Sequence, residues 1–142
     1  MNVNRAPAVA ALLAGLLVST ACRSGQGTAC PAIGWLDALT VELDGWAEVP
    51  GGSVTVECPS TCAREIRLDA PAIERNEVSV ALSGATTTVP FTYGRPDSVV
   101  VTVTGPDGAE LARQPADVDW RQVGGSAECG GPMAATVVVP AP

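Results

Sequence analysis

The chain contains no histidine and no lysine; all eight of its basic residues are arginine. Without histidine the commonest general base is missing, and with it every Ser-His-Asp or Cys-His arrangement. Without lysine neither a Ser-Lys dyad nor a Schiff base can form. No glycine-rich loop leads from a strand into a helix, so the phosphate-cradling motifs are missing too. Fifteen acids against eight arginines leave a net charge of −7 with no basic cluster. That excludes the electrostatic footprint of a nucleic-acid binder and gives anionic headgroups nothing to attract. Aromatics are scarce, 4% of 142 residues. Trp35, Trp46, Trp120, Phe91 and Tyr93 are therefore the few large fillers for a core otherwise made of Val, Ala and some Leu and Ile. Burial at about 25 cal/mol per Å² of apolar area stabilises such small side chains modestly, and disulfides would supplement it. No apolar run approaches the roughly 20 residues that span a bilayer.

What the chain does have at its start is an ordered series of signals. Arg5 precedes an uncharged apolar stretch, 6–18, which ends in the small residues Ser19, Thr20 and Ala21 before Cys22. A basic start, an apolar middle and a small-residue cleavage site are the layout of a secretory signal. With cysteine at the cut, the segment resembles the lipobox of bacterial lipoproteins. That resemblance implies a lipidated Cys22 as new N-terminus and a protein held on the extracytoplasmic face of the cell membrane. Ser19 and Ala21 also satisfy the small-x-small rule of ordinary signal cleavage. Cysteine parity favours lipidation, because the other four cysteines form an even set once Cys22 is modified. The expected organisation is a signal peptide at 1–21, a lipidated cysteine and tether at 22–29, and one domain at 30–142. The polar, glycine-bearing tether reaches at most ~25 Å. The Arg-only, Ala/Gly/Pro/Val-rich composition resembles that of actinobacterial proteins.

From Trp35 onward the hydrophobic pattern has period two. Leu39, Val41 and Leu43 alternate with polar residues, as do Val54, Val56 and Cys58; Ile66 and Leu68; Val78, Val80 and Leu82; and Val89, Phe91 and Tyr93. Val99, Val101 and Val103 follow, then Val118 and Trp120, then Val137 and Val139. Short alternating runs rich in β-branched residues predict half-buried strands. The Gly, Pro and Asp clusters between them predict turns. About eight such strands predict an all-β fold, an Ig-like antiparallel β-sandwich. The stretch 97–111, a Val-rich strand leading into Gly105-Pro106-Asp107-Gly108, resembles a hairpin of bacterial immunoglobulin-like or transthyretin-like domains. Cys-Pro-Ala-Ile-Gly-Trp at 30–35, a Cys-x3-Cys and a late Cys-Gly-Gly resemble small actinobacterial lipoproteins. That resemblance implies no activity.

Cys58 and Cys62 flank Pro59-Ser60-Thr61, and opposed across a three-residue hairpin loop they would lie at disulfide distance. Cys30 is then left to pair with Cys129, closing a loop worth about 4.7 kcal/mol in the chain-entropy model. Four cysteines permit three pairings. A four-cysteine metal site and a redox pair are the alternatives, disfavoured by export, by the missing histidine and by a strand turn in place of a helix start.

The remaining candidates for chemistry are carboxylates. Asp117 and Asp119 would share a strand face, with Asp107 from a turn as a third oxygen ligand for calcium; the plainer reading is a solvated edge strand. Trp35 and Trp120 are expected in the core. Trp46, beside the Asp44-Gly45 turn, is a candidate sugar or peptide contact, or a cap over the end of the sandwich. The sequence therefore predicts a non-enzymatic, lipid-anchored envelope module without cofactor, with an envelope protein or polysaccharide as partner. A calcium-dependent or carbohydrate-binding module is the alternative, followed by a carboxylate-based hydrolase.

Overall fold

The computed structural model describes residues 29–32 and 34–142. The expected signal peptide, Cys22 and the tether to residue 28 lie outside the described residues. The chain falls into two units, Met1–Pro31, of which only 29–31 are described, and Ala32–Pro142. The second is all-β, with strands β1 (Asp37–Asp44), β2 (Ser53–Glu57), β3 (Ala63–Glu65), β4 (Ile73–Arg75), β5 (Glu77–Ala81), β6 (Thr86–Phe91), β7 (Ser98–Thr104), β8 (Glu110–Asp117), β9 (Arg121–Gln122) and β10 (Met133–Pro140).

Two four-stranded sheets form, ordered β6-β1-β10-β9 and β5-β2-β7-β8, with β3 and β4 as a separate two-stranded sheet. Side chains on a strand point alternately to its two faces, so each apolar alternation becomes one buried face. Leu39, Val41 and Leu43 of β1, Val89 and Phe91 of β6, and Ala135, Val137 and Val139 of β10 line the inner face of the first sheet. Val54 and Val56 of β2 with Val99, Val101 and Val103 of β7 line the inner face of the second, and the two sets merge in one cluster. The expected sandwich is therefore present. In immunoglobulin constant domains the first strand lies at a sheet edge; here β1 is interior, antiparallel to β6 and parallel to β10.

The hairpin expected over 97–111 forms, as β7 and β8 joined through Gly105–Gly108 bonding and a left-handed Gly108. Two prolines within strands lie on edge strands, Pro90 on β6 and Pro115 on β8, where a missing donor costs little, and Pro140 is the last residue of β10. Two expectations need correction. Ile66 and Leu68 are not core residues of a strand but stand in the exposed loop between β3 and β4. Val118 and Trp120 follow β8 rather than forming a strand, although Val118 is buried and Trp120 packs on the core.

Phe91 is the largest fully buried side chain, and its ring meets the Trp120 ring edge-on at a centroid distance of 5.3 Å. A core of valines cannot collapse around the space such a ring leaves. Phe91→Ala should therefore cost about 3–5 kcal/mol, measured by urea unfolding; a loss below about 1 kcal/mol would show that the valine core does not depend on this ring.

Candidate functional site

The most chemically varied recess opens at the end of the sandwich where β1, β7 and β10 begin and β2, β6 and β8 finish. It has a volume of about 410 Å³ and is lined by Trp35, Asp37, Phe91, Thr92, Tyr93, Gly94 and Arg95. Trp35 stands just before β1 and Tyr93 just after β6, and antiparallel pairing of those strands brings the two together. Trp35 is thus not in the core as expected; it is 39% exposed, and Tyr93 45%.

Asp37 forms the polar floor. Its carboxylate accepts from Arg95 Nε at 2.6 Å and Nη2 at 3.4 Å, and from the backbone N–H of Met133 at 2.8 Å. One buried carboxylate therefore joins the start of β1, the loop before β7 and the start of β10. Beside it, Trp120 Nε1 donates to the Pro96 carbonyl at 2.9 Å, fixing the same loop from the other side.

The wall of the recess leads to the β3–β4 hairpin. The Arg64 guanidinium lies over the Tyr93 ring, 4.9 Å from its centroid, and Arg64 Nη2 pairs with Glu74 at 2.9 Å. Thr92 Oγ1 accepts from the Arg64 N–H, and the Tyr93 N–H donates to the Cys62 carbonyl. Gly94 makes this approach feasible: its φ is +76°, and a Cβ there would stand 2.8 Å from the Thr61 carbonyl oxygen. Cys58 and Cys62 form a disulfide with Cα atoms 6.2 Å apart. They are not opposed across a hairpin, since β2 pairs with β5 and β7 while β3 pairs with β4. The bridged loop instead turns the chain out of the main sheet into the small one. Cys30 and Cys129 are disulfide-bonded as well.

The acids proposed as calcium ligands do not converge. Asp107 lies in the β7–β8 turn, where its Oδ1 accepts from the Ala109 N–H. Asp117 ends β8 at the opposite end of the sandwich, and Asp119 pairs with Arg121 at 2.7 Å. Among the described residues no group of three or more acids or cysteines is placed to hold a metal ion. Trp46 lies at the end remote from the recess. It is half-buried, packs on the core and donates Nε1–H to the Val139 carbonyl at 2.9 Å, the arrangement of a cap over that end of the sandwich. Trp35, Tyr93 and Arg95 are the site residues that sequence reasoning missed. The available signal was Asp37, a charged residue interrupting the period-two series between Trp35 and Leu39, and the glycine that follows Tyr93.

On the outer face of the second sheet, Arg113 of β8 reaches over Thr102 of β7 to Glu57 of β2, with contacts of 2.9 and 2.6 Å to the two carboxylate oxygens. The hydrogen bonds from Arg113 hold the Glu57 carboxyl below the usual carboxylate range. A carboxyl depressed in the folded state contributes stability that is complete above its unfolded value and lost as pH falls through its folded value. The stability gap between the native chain and Glu57→Gln should therefore be present at pH 7 and shrink by pH 3, and it should narrow with added salt because the pair is exposed. A gap independent of pH would refute the assignment.

Asp37→Ala should cost about 1–3 kcal/mol, because it strands the Met133 N–H while the half-exposed Arg95 regains water. Asp37→Asn should recover part of the loss through its remaining acceptor; equal melting of the two variants would contradict this account. No protein-family model matches the chain, and no curated protein or solved structure matches it either.

Proposed function

We propose that the chain is a lipid-anchored, non-catalytic β-sandwich of the bacterial cell envelope, exported by its signal segment and held to the membrane through Cys22. The observation that carries this reading is how the recess uses its polar groups. Its one carboxylate and one guanidinium are joined to each other, the carboxylate also accepts from the Met133 N–H, and the half-exposed rings of Trp35 and Tyr93 stand beside them. Such a site binds by contact and offers no nucleophile beside a base. Support also comes from the composition, which lacks histidine and lysine. The oxidised cysteines fit an extracytoplasmic, oxidising compartment. Among the described residues no helix is long and apolar enough to cross a membrane, so attachment would rest on the lipid. The pairing Cys30–Cys129 belongs to the same reading, since it leaves Cys22 available for modification.

A second reading, a carbohydrate-binding surface module, is favoured by Trp35 and Tyr93 flanking one recess. Aromatic rings offer apolar faces on which sugar rings pack.

Mass spectrometry of the protein from its native envelope tests the first reading. The expected result is a diacylglyceryl-modified Cys22 at the N-terminus, a disulfide-linked peptide joining Cys30 to Cys129, and release of Cys22→Ala from the membrane fraction. An unmodified Cys22, or one linked to another cysteine, would overturn the anchor.

A further inference from the structure

Large apolar side chains left exposed on the domain are not scattered. Of the eight among the described residues, six lie at one end: Trp35, Leu36, Tyr93, Ile66, Leu68 and, beside the start of β10, Val123. Ile66 is 81% exposed and Leu68 99%, so the tip of the β3–β4 hairpin holds two aliphatic side chains almost wholly in water. A two-stranded sheet with three-residue strands is marginal in isolation, yet this one is pinned on three sides. The Cys58–Cys62 disulfide closes its base, Arg64 Nη2 pairs with Glu74 across it, and the Arg64 backbone is bonded to Thr92 Oγ1. The tip is therefore displayed by a braced support. Tyr93 and Trp35 stand below it, with Arg64 lying on the Tyr93 ring.

We infer that this face is a membrane-contacting surface, with Ile66 and Leu68 entering the acyl boundary and Trp35 and Tyr93 at headgroup level. The inference rests on the anchor reading for its orientation. Cys22 precedes Ala32, where the folded unit starts, by ten residues, a reach of at most ~35 Å. The chain then enters the sandwich through Trp35 and Leu36, at the same end as the hairpin. The end at which β1 begins is therefore the one nearest along the chain to the anchor.

Charge fits the same occupant. The four arginines of this face stand against four acids: Arg64 pairs with Glu74, Arg67 and Arg75 share Glu65, Arg95 pairs with Asp37, and the exposed Asp69 beside Leu68 is the fourth. The other half of this end carries Asp97, Asp117, Asp119 and Glu128. A locally neutral apolar face beside an acidic flank suits a bilayer interface, where Trp and Tyr are enriched and long Arg stems reach headgroups. A protruding tip also suits a deformable lipid phase better than a rigid partner, which would need a matching groove.

The test uses the full lipidated chain in phosphatidylcholine vesicles whose acyl chains carry bromine, a short-range quencher of tryptophan. Trp46 and Trp120 donate their N–H groups to backbone carbonyls and pack on the core, so the quenchable emission should belong to Trp35. We expect brominated lipid to quench the native protein, W35F to abolish the quenchable fraction, and the I66S/L68S double variant to reduce it at least twofold with unchanged melting. Quenching that persists in W35F, or none at all although mass spectrometry finds lipid on Cys22, would overturn the surface and leave the anchor standing. Trp35-dependent quenching of a chain whose Cys22 is unmodified would uphold the surface and remove the anchor. Absence of quenching together with self-association that I66D abolishes would assign the face to a second copy, and quenching relieved by a soluble oligosaccharide would assign it to sugar; either result overturns the proposal.

Discussion

Sheet formation depends on a parallel pair between β1 and β10. These two strands occupy the middle of the first sheet, and its other members hang on them: β6 pairs only with β1, and β9 only with β10. The register sets Leu39 beside Ala135, Val41 beside Val137 and Leu43 beside Val139, so inward positions match along the whole pair. A one-residue slip would turn one strand's valines outward, which is why the buried face enforces the pairing. The contact joins residues 96 positions apart, and closing so long a segment is entropically costly before it brings any burial. The second sheet is different. Its pairs β2–β5 and β7–β8 join nearer segments, and β7–β8 is a tight hairpin.

Asp37 makes that central pair continuous with the recess. Its carboxylate caps the first amide of β10 and holds Arg95, so the long-range pair and the loop before β7 share one acceptor. The aromatic groups follow. Trp120 is tied to Pro96 and to Phe91, and Tyr93 to Cys62 and Arg64. One end of the sandwich is thereby stiffened by side-chain hydrogen bonds, a disulfide and ring contacts. The other end is closed mainly by Trp46 over Leu43 and by glycine turns.

How much of this could be read beforehand depended on whether a strand supplied its own pattern. β1, β2, β6 and β7 alternate Leu, Val or Phe with polar residues, and their buried faces were legible residue by residue. β8, Glu-Leu-Ala-Arg-Gln-Pro-Ala-Asp, was legible only at its start in the hairpin. It lacks β-branched residues and becomes a strand because β7 templates it. Ile66 and Leu68 alternate as convincingly as any core pair and yet are exposed, because β3 leaves the main sheet at the Cys58–Cys62 loop.

By itself the sequence determined the all-β fold class, the positions of most turns, the closeness of Cys58 and Cys62 along the chain and an inventory without histidine or lysine. These are local properties: side-chain period, backbone restriction at Gly and Pro, short loop closure and residue inventory. The tertiary structure alone decided the strand order, the meeting of Trp35 with Tyr93 and Arg95, the separation of Asp107 from Asp117, and the difference between Trp46 as a cap and Trp35 as a surface. Each of those turns on which strands become neighbours, and a period-two pattern says which face is buried without saying against whom.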